Sequence, residues 1–365
     1  MSVDLIISLV KANIVLAVLL TNTILLIWFE RKLVAGMQSR VGPDRAGPFG
    51  ILQTVADAIK LLLKEQILPL KADRAMYLLA PIIALVPSFL IFMIIPIGPN
   101  LNITIAGENY IVKFVGADIN VGVLYFLALS SLAVYSVVLA GWSSGSKYPL
   151  IGGVRASAQM ISYEAAMGLA LVPVILYSGS LSLVDIVESQ AGNLSTNIPI
   201  LNTFVSFIPK WNIFPQFVAF AIFFIAAVAE VNRAPFDLVE AEQELVGGFH
   251  TEYSGFRFAM FFLAEYINMF NMCAITATFF LGGWLGPTFE GILPSFISAL
   301  MPIIWLGFKT FFLLFIFVWI RATLPRLRYD QLMELGWKRL IPLALIWLIL
   351  SSLVLGLREF GLPWS

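Results

Sequence analysis

The sequence repeats apolar stretches of about 20 residues, the length of helix that crosses about 30 Å of hydrocarbon. Only 12% of the 365 residues are charged and the mean hydropathy is +0.92, so one soluble core could not bury so much apolar side chain. The stretches predict eight membrane-spanning segments, near residues 5–29, 75–96, 119–142, 156–178, 214–231, 256–281, 300–320 and 339–357.

The backbone of these segments is predicted to be helical. Helices and closed barrels alone satisfy their backbone polar groups inside a bilayer, and the apolar runs here are continuous, whereas barrel strands alternate. The predicted fold class is all-α: a polytopic membrane protein with about eight transmembrane helices plus an interfacial amphipathic helix, in one domain over residues 1–365. The first stretch lacks the features of a cleavable signal peptide, so we expect it to stay as the first helix.

Basic residues predict the orientation, because Lys and Arg accumulate in cytoplasmic connections. Counted with the flanking residues of the next span, the connections after spans one, three, five and seven hold eight, two, two and five Lys or Arg. The other three connections and the C-terminal tail hold one, one, none and one. Both termini are therefore expected outside, and four connections are expected inside: 30–74, 143–155, 232–255 and 321–338.

The first inside connection contains the amphipathic segment "ILQTVADAIKLLLKEQ", residues 51–66. Its large apolar residues share one face of a helix, and Asp57, Lys60 and Lys64 lie off that face. The pattern is typical of an interfacial helix on anionic lipid, and a wall of an entry portal for an amphipathic ligand is the alternative. The preceding "RVGPDRAGPFG" predicts a bent, rigid loop because Gly and Pro punctuate it.

Several carboxyl groups fall where exposure to lipid would be costly. Glu164 and Glu265 lie deep in spans four and six, too deep for a short side chain to reach water easily. Glu30 and Glu230 lie at the inner ends of spans one and five, where reaching the interface is the alternative to a buried role. A buried carboxyl without a cation holds its proton more tightly, which suits it to carry protons near neutral pH.

The most acidic stretch is "APFDLVEAEQELVGGFHTEYSG", residues 234–255, which contains no Lys or Arg. Glu240 and Glu244 are four residues apart and would repel each other on one face of a helix. Either Arg233 or arginines of a partner chain neutralise the cluster, or some of its members are protonated. A solvated acidic loop is the competing interpretation, and the neighbouring Val, Leu and Phe residues weigh against it.

The sequence lacks motifs for independent redox or hydrolytic chemistry. Cys273 is the only cysteine and His250 the only histidine, so no thiolate-held iron-sulfur cluster, haem or metal site is expected within the chain. There is no phosphate-binding glycine loop with lysine and no Gly-x-Ser-x-Gly elbow. The net charge is zero, which gives no argument for binding nucleic acid. We expect no catalytic residue, bound cofactor or metal in this chain.

Four long segments, in order along the chain, resemble the family of the membrane H subunit (subunit 1) of proton-pumping NADH-quinone oxidoreductase, respiratory complex I. They are "ERKLVAGMQSRVGPDRAGPFGILQTVADAIKLLLKE", "GWSSGSKYPLIGGVRASAQMISYE", "AEVNRAPFDLVEAEQELVGGFHTEYSG" and "VWIRATLPRLRYDQLMELGWK". The resemblance implies a non-redox subunit that forms the quinone entrance and chamber with the peripheral arm. It also implies that quinone reduction is coupled to proton translocation through a glutamate-rich funnel.

The same resemblance implies the surroundings of the chain. Its partners would be peripheral-arm iron-sulfur and quinone-site subunits and small membrane-arm subunits, with quinone as substrate and the lipid bilayer around it. Iron-sulfur clusters and FMN would lie in partner subunits. The membrane would be the bacterial plasma membrane, with an organellar inner or thylakoid membrane as alternatives. The four inside connections would form the quinone chamber and the docking face.

Individual positions follow from the resemblance as well. Residues implied at the quinone chamber and entrance are Arg31, Met37, Arg40, Phe49, Asp57, Lys60 and Phe249. Residues implied in the proton funnel are Glu30, Glu164, Glu230, Arg233, Asp237, Glu240, Glu242, Glu244, Glu252 and Glu265. Some relatives carry a glutamate in span three where this chain has Ser130 and Ser131, so one relay position is absent or moved.

Two functions of other classes stay open from the residues alone. A homologous membrane anchor of a membrane-bound hydrogenase or related ion-pumping complex would need no quinone, and neighbouring genes for nickel-site subunits would indicate it. A free-standing secondary transporter would carry its substrate across a bilayer as the purified chain.

Overall fold

Long apolar helices make up most of the structure. The computed structural model describes residues 3–105, 108–112, 114–193, 209–237, 247–287 and 295–360. Among these residues, seven helical segments are long and apolar enough to cross a membrane: Val10–Met37, Arg74–Met93, Gly122–Ser143, Lys147–Ser178, Gly255–Phe280, Leu300–Thr323 and Tyr329–Arg358. The predicted all-α polytopic fold class is confirmed.

The elements follow one another along the chain with short connections. The helices are α1 (Val3–Met37), α2 (Leu52–Leu63), α3 (Arg74–Met93), α4 (Gly122–Ser143), α5 (Lys147–Ser178), α6 (Leu183–Ser189), α7 (Phe217–Glu230), α8 (Gly255–Phe280), α9 (Ser295–Thr323), α10 (Tyr329–Glu334) and α11 (Ile341–Phe360). A π-helical turn, Leu335–Leu340, joins α10 to α11. After α3, strands β1 (Leu101–Ile105) and β2 (Glu108–Val112) form an antiparallel hairpin that the sequence analysis did not predict.

The predicted span at 214–231 corresponds to α7, which has only 14 residues. At about 1.5 Å per residue such a helix is about 21 Å long, less than the thickness of the hydrocarbon. Turns precede it, and Asn232 adopts a left-handed backbone conformation, φ 53°, directly after it. The backbone N–H of Gln216 bonds to the carbonyl of Asn212 at 2.9 Å, so a hydrogen-bonded turn lengthens the helix on its N-terminal side.

Several helices extend beyond the apolar runs from which they were predicted. α1 continues to Met37, so Glu30 is a helical residue and not the start of a connection. α5 begins at Lys147, so most of the predicted connection 143–155 is helix. Pro149 lies in the first turn of α5, where its missing N–H costs no helical hydrogen bond. Hydropathy located the apolar centres of these helices and missed their polar ends.

The predicted amphipathic segment forms α2, which confirms a short helix in the first inside connection. Thr54 faces the bundle and is buried. Four large apolar side chains are exposed in the isolated chain, the most exposed at 82%: Leu52, Ile59, Leu62 and Leu63. This side of α2 is therefore available to lipid or to another chain.

The centre of the bundle is α8, whose C-terminal half is almost completely buried. Phe279 and Phe280 pack against Phe223 of α7 with ring centroids 6.2 and 5.6 Å apart. Beyond the end of α8, the Lys309 ammonium donates to the carbonyls of Leu281, Gly283 and Leu285. These carbonyls follow the last turn of α8. The buried Lys309 ammonium on α9 therefore binds the C-terminal end of α8.

The close packing of α5 against the 247–250 turn can be tested at Gly152. A Cβ at Gly152 would lie 2.7 Å from the Cα of Gly248, so Gly152→Ala should push the 247–250 turn off α5 and destabilise the fold by about 1–3 kcal/mol. Gly168→Ala is the matched control on the same helix, because its nearest neighbour would be a Leu127 methyl at 4.0 Å. The measurement is the midpoint of thermal unfolding of the purified complex, and equal midpoints for the two variants would contradict the prediction.

Candidate functional site

A buried guanidinium, Arg233, lies between carboxylates from two different helices. Its Nη1 lies 3.0 Å from Oε1 of Glu30 on α1, and its Nε lies 2.7 Å from Oε1 of Glu265 on α8. Arg321 at the inner end of α9 pairs with the same Glu30 oxygen. Arg233 also lies over the ring of Tyr266, 4.4 Å from its centroid. We call Glu30, Arg233, Glu265, Tyr266 and Arg321 the central cluster.

The charge of Arg233 is stabilised by this arrangement. The residue is only 4% exposed, and burial alone would favour its neutral form. The carboxylates of Glu265 and Glu30 outweigh burial and hold the pKa of Arg233 well above its ordinary value. The cluster contains two arginines and two glutamates, so its formal charges balance, as buried charges require.

The loop after α7 places Arg233 inside the bundle. Asn232 turns the chain with φ 53°, and the N–H of Arg233 bonds back to the carbonyl of Val228 at 3.4 Å. Gln159 of α5 holds both ends of this loop, because its side-chain amide donates to the carbonyls of Ala229 at 2.9 Å and Phe236 at 2.8 Å. The buried Gln159 amide thus fixes the direction in which Arg233 points.

Two further carboxyls bond to adjacent serines on α4. Ser130 Oγ donates to Oε1 of Glu230 at 2.8 Å, and Ser131 Oγ pairs with Oε1 of Glu164. Glu230 is 5% exposed, so its carboxyl is buried among the helices. Glu164 is half-buried on α5. The carboxyl of Glu230 and that of Glu164 therefore approach α4 from two different helices.

A cavity that is open on one side connects the Glu230 carboxyl with Glu265 of the central cluster. We call it the acidic cavity, because Glu230, Asp237 and Glu265 line it. Its other walls are largely aromatic and polar: Asn232, Phe249, His250, Phe258, Phe261, Phe262 and Asn268 are among them. Asp237 lies 3.9 Å from Nη2 of Arg326, in the connection after α9.

A second, larger cavity lies at the inner end of α1 and has about 1530 Å³ of empty volume. We call it the arginine cavity. It is lined by Glu30, Arg31, Val34, Ala35, Gln38, Arg40, Val41, Gly42, Pro43, Phe262, Tyr266, Arg321 and Ala322. Phe262 lines both cavities, and Arg233 connects Glu265 of the acidic cavity to Glu30 of the arginine cavity. The two spaces are therefore separated by one buried ion-pair chain.

The other residues predicted at the quinone chamber and entrance lie around the C-terminal end of α1 and on α2. Arg31 joins α1 to α2 through an ion pair with Asp57 at 2.5 Å. Trp28 donates to the carbonyl of Phe49 at 2.9 Å, which holds the loop while the Phe49 side chain stays 74% exposed. Met37 lines a groove on another side of α1, the α1 groove, with Trp28, Phe29, Lys32, Leu33 and Gly36. Lys60 is exposed in the last turn of α2.

Two predicted site residues lie apart from the arginine cavity. Phe249, predicted at the quinone chamber, is buried and lines the acidic cavity. Glu252 lines neither of the two cavities, and its backbone carbonyl accepts a hydrogen bond from Tyr77 at 2.7 Å. Tyr77 stacks on Tyr253 with ring centroids 4.0 Å apart, and burial raises the pKa of Tyr253 to about 12. The turn at 248–253 thus packs against α3 and also lines the acidic cavity through Phe249 and His250.

Three of the predicted funnel residues, Glu240, Glu242 and Glu244, lie outside the described residues. Sequence reasoning missed Arg321 and Tyr266, and it treated Arg321 only as a basic residue on the inside. The available signal for Arg321 was its position directly after the apolar run of span seven. Within the described ranges, no group of three His, Cys, Asp or Glu side chains is arranged to hold a metal ion.

Removing the Arg233 guanidinium from the central cluster should destabilise the fold. Arg233→Ala leaves Glu30 and Glu265 without their buried partner, which is expected to destabilise the fold by about 3–5 kcal/mol. Arg328→Ala is the control, because Arg328 pairs with Asp330 at the surface and such pairs contribute less than about 1 kcal/mol. Thermal unfolding of the assembled complex measures both, and an Arg233→Ala midpoint equal to that of Arg328→Ala would refute the assignment.

Comparisons with known proteins agree on the family. Residues 10–352 match the family model described as NADH dehydrogenase. The chain is 51% identical over 341 residues to the NADH-quinone oxidoreductase H subunit of Frankia casuarinae, which covers 93% of this chain and 71% of that protein. It is 47% identical to the H subunit numbered 2 of Koribacter versatilis, covering 97% and 98%. The H subunit numbered 1 of Geobacter sulfurreducens is 49% identical, covering 96% and 95%. The chain therefore belongs to the NADH dehydrogenase family, as a membrane H subunit of NADH-quinone oxidoreductase.

Proposed function

We propose that the arginine cavity is this chain's part of a quinone chamber, and that the central cluster couples quinone reduction there to proton transfer in the acidic cavity. The observation that carries the proposal is the position of Arg233, which pairs with one glutamate from each cavity. As part of a multi-subunit enzyme, the chain works with other complex I subunits. The iron-sulfur clusters and FMN belong, in this proposal, to those partners.

The chemistry of the arginine cavity suits a quinone head. A quinone presents two carbonyl oxygens that accept hydrogen bonds, and Arg31, Arg40 and Arg321 supply donors in a cavity that also has apolar walls. Reduction to quinol takes up two electrons and two protons. Cationic donors stabilise the negative charge that develops on the quinone oxygens before those protons arrive.

The α1 groove suits the lipid-side entrance for the quinone tail. It is lined mainly by apolar and aromatic atoms, among them Trp28, Phe29 and Met37. The exposed Phe49 lies close to it, because the Phe49 carbonyl accepts from Trp28. Asp57 and Lys60 brace the entrance from α2, Asp57 through its ion pair with Arg31. A long apolar tail needs such a path between the bilayer and a polar chamber.

The central cluster transmits charge between the cavities. A unit of negative charge that appears about 8 Å from Arg233 or Arg321 changes their energy by roughly 2 kcal/mol at an effective dielectric constant of about 20. Either arginine then stabilises the carboxylates of Glu30 and Glu265 less. The proton affinity of these carboxyls changes as a result. Glu230, Glu164 and Asp237 provide the next proton positions in the funnel, and Glu240, Glu242, Glu244 and Glu252 extend it in our proposal.

The orientation follows from the charge distribution. The basic connections hold Arg31, Arg40 and Arg326, so we place this side and its four connections in the cytoplasm, with both termini outside. The exposed apolar side of α2 and the loop before it then form the docking face for the peripheral-arm subunits. The membrane is the bacterial plasma membrane in this proposal, as the relatives named above are bacterial proteins.

Photoaffinity labelling of the assembled complex with an azidoquinone tests the chamber. The expected result is label in peptides from residues 30–65, because they contain most of the arginine-cavity lining and the entrance helix. Excess native quinone should suppress this label and leave non-specific label unchanged. Specific label confined to residues 176–193 would overturn the assignment.

The funnel is tested at Glu230, which is buried and bonded to Ser130. Glu230→Gln keeps the shape and removes the proton-carrying group, so the protons translocated per quinone reduced should fall to less than about half while the complex assembles. Glu188→Gln is the control, since Glu188 is exposed on α6. Wild-type stoichiometry in an assembled Glu230→Gln enzyme would exclude Glu230 from the pathway.

A further inference from the structure

The pair of serines in the middle of α4 has a function beyond packing. Ser130 bonds to Glu230 of α7, and the next residue, Ser131, bonds to Glu164 of α5. Successive residues of a helix point about 100° apart, so neighbouring serines reach two different helices. α4 thereby lies between two carboxyl groups and gives each of them its own hydroxyl.

The two pairs differ in their surroundings. Ser130 is 3% exposed and Glu230 is 5% exposed, so this pair is enclosed by the bundle beside the acidic cavity. Ser131 is exposed and Glu164 is half-buried, so the second pair lies at the surface of the chain. A proton that passes from Glu230 to Glu164 would therefore leave the interior of this subunit.

The hydroxyl of Ser131 has more acceptors than hydrogens. It lies 3.1 Å from the carbonyl of Leu127, one helical turn earlier, and it also contacts Oε1 of Glu164. A serine hydroxyl carries one hydrogen and two acceptor lone pairs, so it donates to only one of these oxygens at a time. Among the described residues, the one hydrogen-bond partner of the Ser130 hydroxyl is Glu230, so only Ser131 has this choice.

The choice depends on the proton of Glu164. An ionised carboxylate can only accept, so Ser131 must donate to it. A protonated Glu164 carries its own hydrogen and can donate to Ser131 Oγ, which frees the serine hydrogen for the Leu127 carbonyl. No proton is gained or lost at Ser131 in either arrangement. Apart from the proton on Glu164, the two arrangements differ by rotation of the Ser131 O–H bond, and both leave the Glu164 and Ser131 oxygens hydrogen-bonded.

We propose that Ser131 is a positioning residue that keeps Glu164 in one place in both of its protonation states. The inference rests on the proposed function, in which Glu164 belongs to the proton funnel. An unpaired polar group at membrane depth is costly, so a carboxyl that lacked such a partner would move or stay in one state. The rotating hydroxyl of Ser131 removes this cost, and Glu164 takes up and releases protons without rearrangement of α4 or α5.

The test compares Ser131→Ala, Ser131→Thr, Glu164→Gln and the double variant Ser131→Ala/Glu164→Gln in the assembled complex. The readouts are the rate of proton translocation in vesicles and its dependence on pH. Ser131→Ala should lower the rate about tenfold, the change that corresponds to one lost hydrogen bond to a charged group. Ser131→Thr keeps the hydroxyl and should stay within about twofold of wild type. Ser352→Ala is the matched control, because this exposed span serine donates to the Ile349 carbonyl at 2.9 Å.

The double variant separates positioning from general stability. Because Ser131 acts through Glu164, the double variant should equal Glu164→Gln alone in both its rate and its pH dependence. A further loss in the double variant, or failure of Ser131→Thr to preserve the rate, would show a merely structural role. A wild-type rate in Ser131→Ala, with a reduced rate in Glu164→Gln, would overturn this inference alone. A wild-type rate in Glu164→Gln would overturn the proposed function as well.

If Ser131→Ala does not assemble, Ser131→Cys takes its place in the test. Ser131→Cys keeps a side chain of similar size and replaces the hydroxyl with a weak donor. Its rate should fall between those of Ser131→Thr and Glu164→Gln. A rate equal to wild type for Ser131→Cys would contradict a role for the hydroxyl.

Discussion

The buried Arg233 guanidinium is the constraint on which the inner half of the molecule depends. It remains charged in proteins, so it must be paired wherever it is buried, and the pairs come from α1 and α8. Arg321 then joins the cluster because Glu30 accepts from two arginines. Three long helices and the loop after α7 are thereby required to meet at one point. α7 ends at Glu230, and the turn that follows it brings Arg233 inside.

The same cluster explains why one subunit can connect two kinds of chemistry. The arginine cavity is open at the inner end of α1 and is lined by cationic donors, whereas the acidic cavity is enclosed by aromatic side chains and carboxyls. In the proposed function, a quinone need not move between the two cavities, because the Glu30–Arg233–Glu265 chain would transmit a change of charge. Electrostatic coupling of this kind needs fixed geometry, which the Gln159 amide provides at the loop.

The fold was predictable from hydropathy because membrane-spanning helices are defined by composition over about 20 residues. The prediction was weakest where a helix does not cross the bilayer as one apolar run: α7 is short, and α5 begins with Lys147 and Pro149. The hairpin at 101–112 was missed because it lies in a polar connection. Among the site residues, the sequence did not reveal that Phe249 lines the acidic cavity, since order along the chain does not show on which side of α8 a turn packs.

The sequence by itself determined that the chain crosses a membrane several times, that α2 is amphipathic, and that Glu164 and Glu265 lie within spans, because these properties depend on local composition and periodicity. Its four long motifs also sufficed to indicate the family. The folded structure alone showed that Glu30 and Glu265 share Arg233. It also showed that the adjacent Ser130 and Ser131 bond to Glu230 and Glu164, respectively. The physical reason is that pairing energies depend on distances of a few ångströms between helices far apart in sequence, which no local pattern contains.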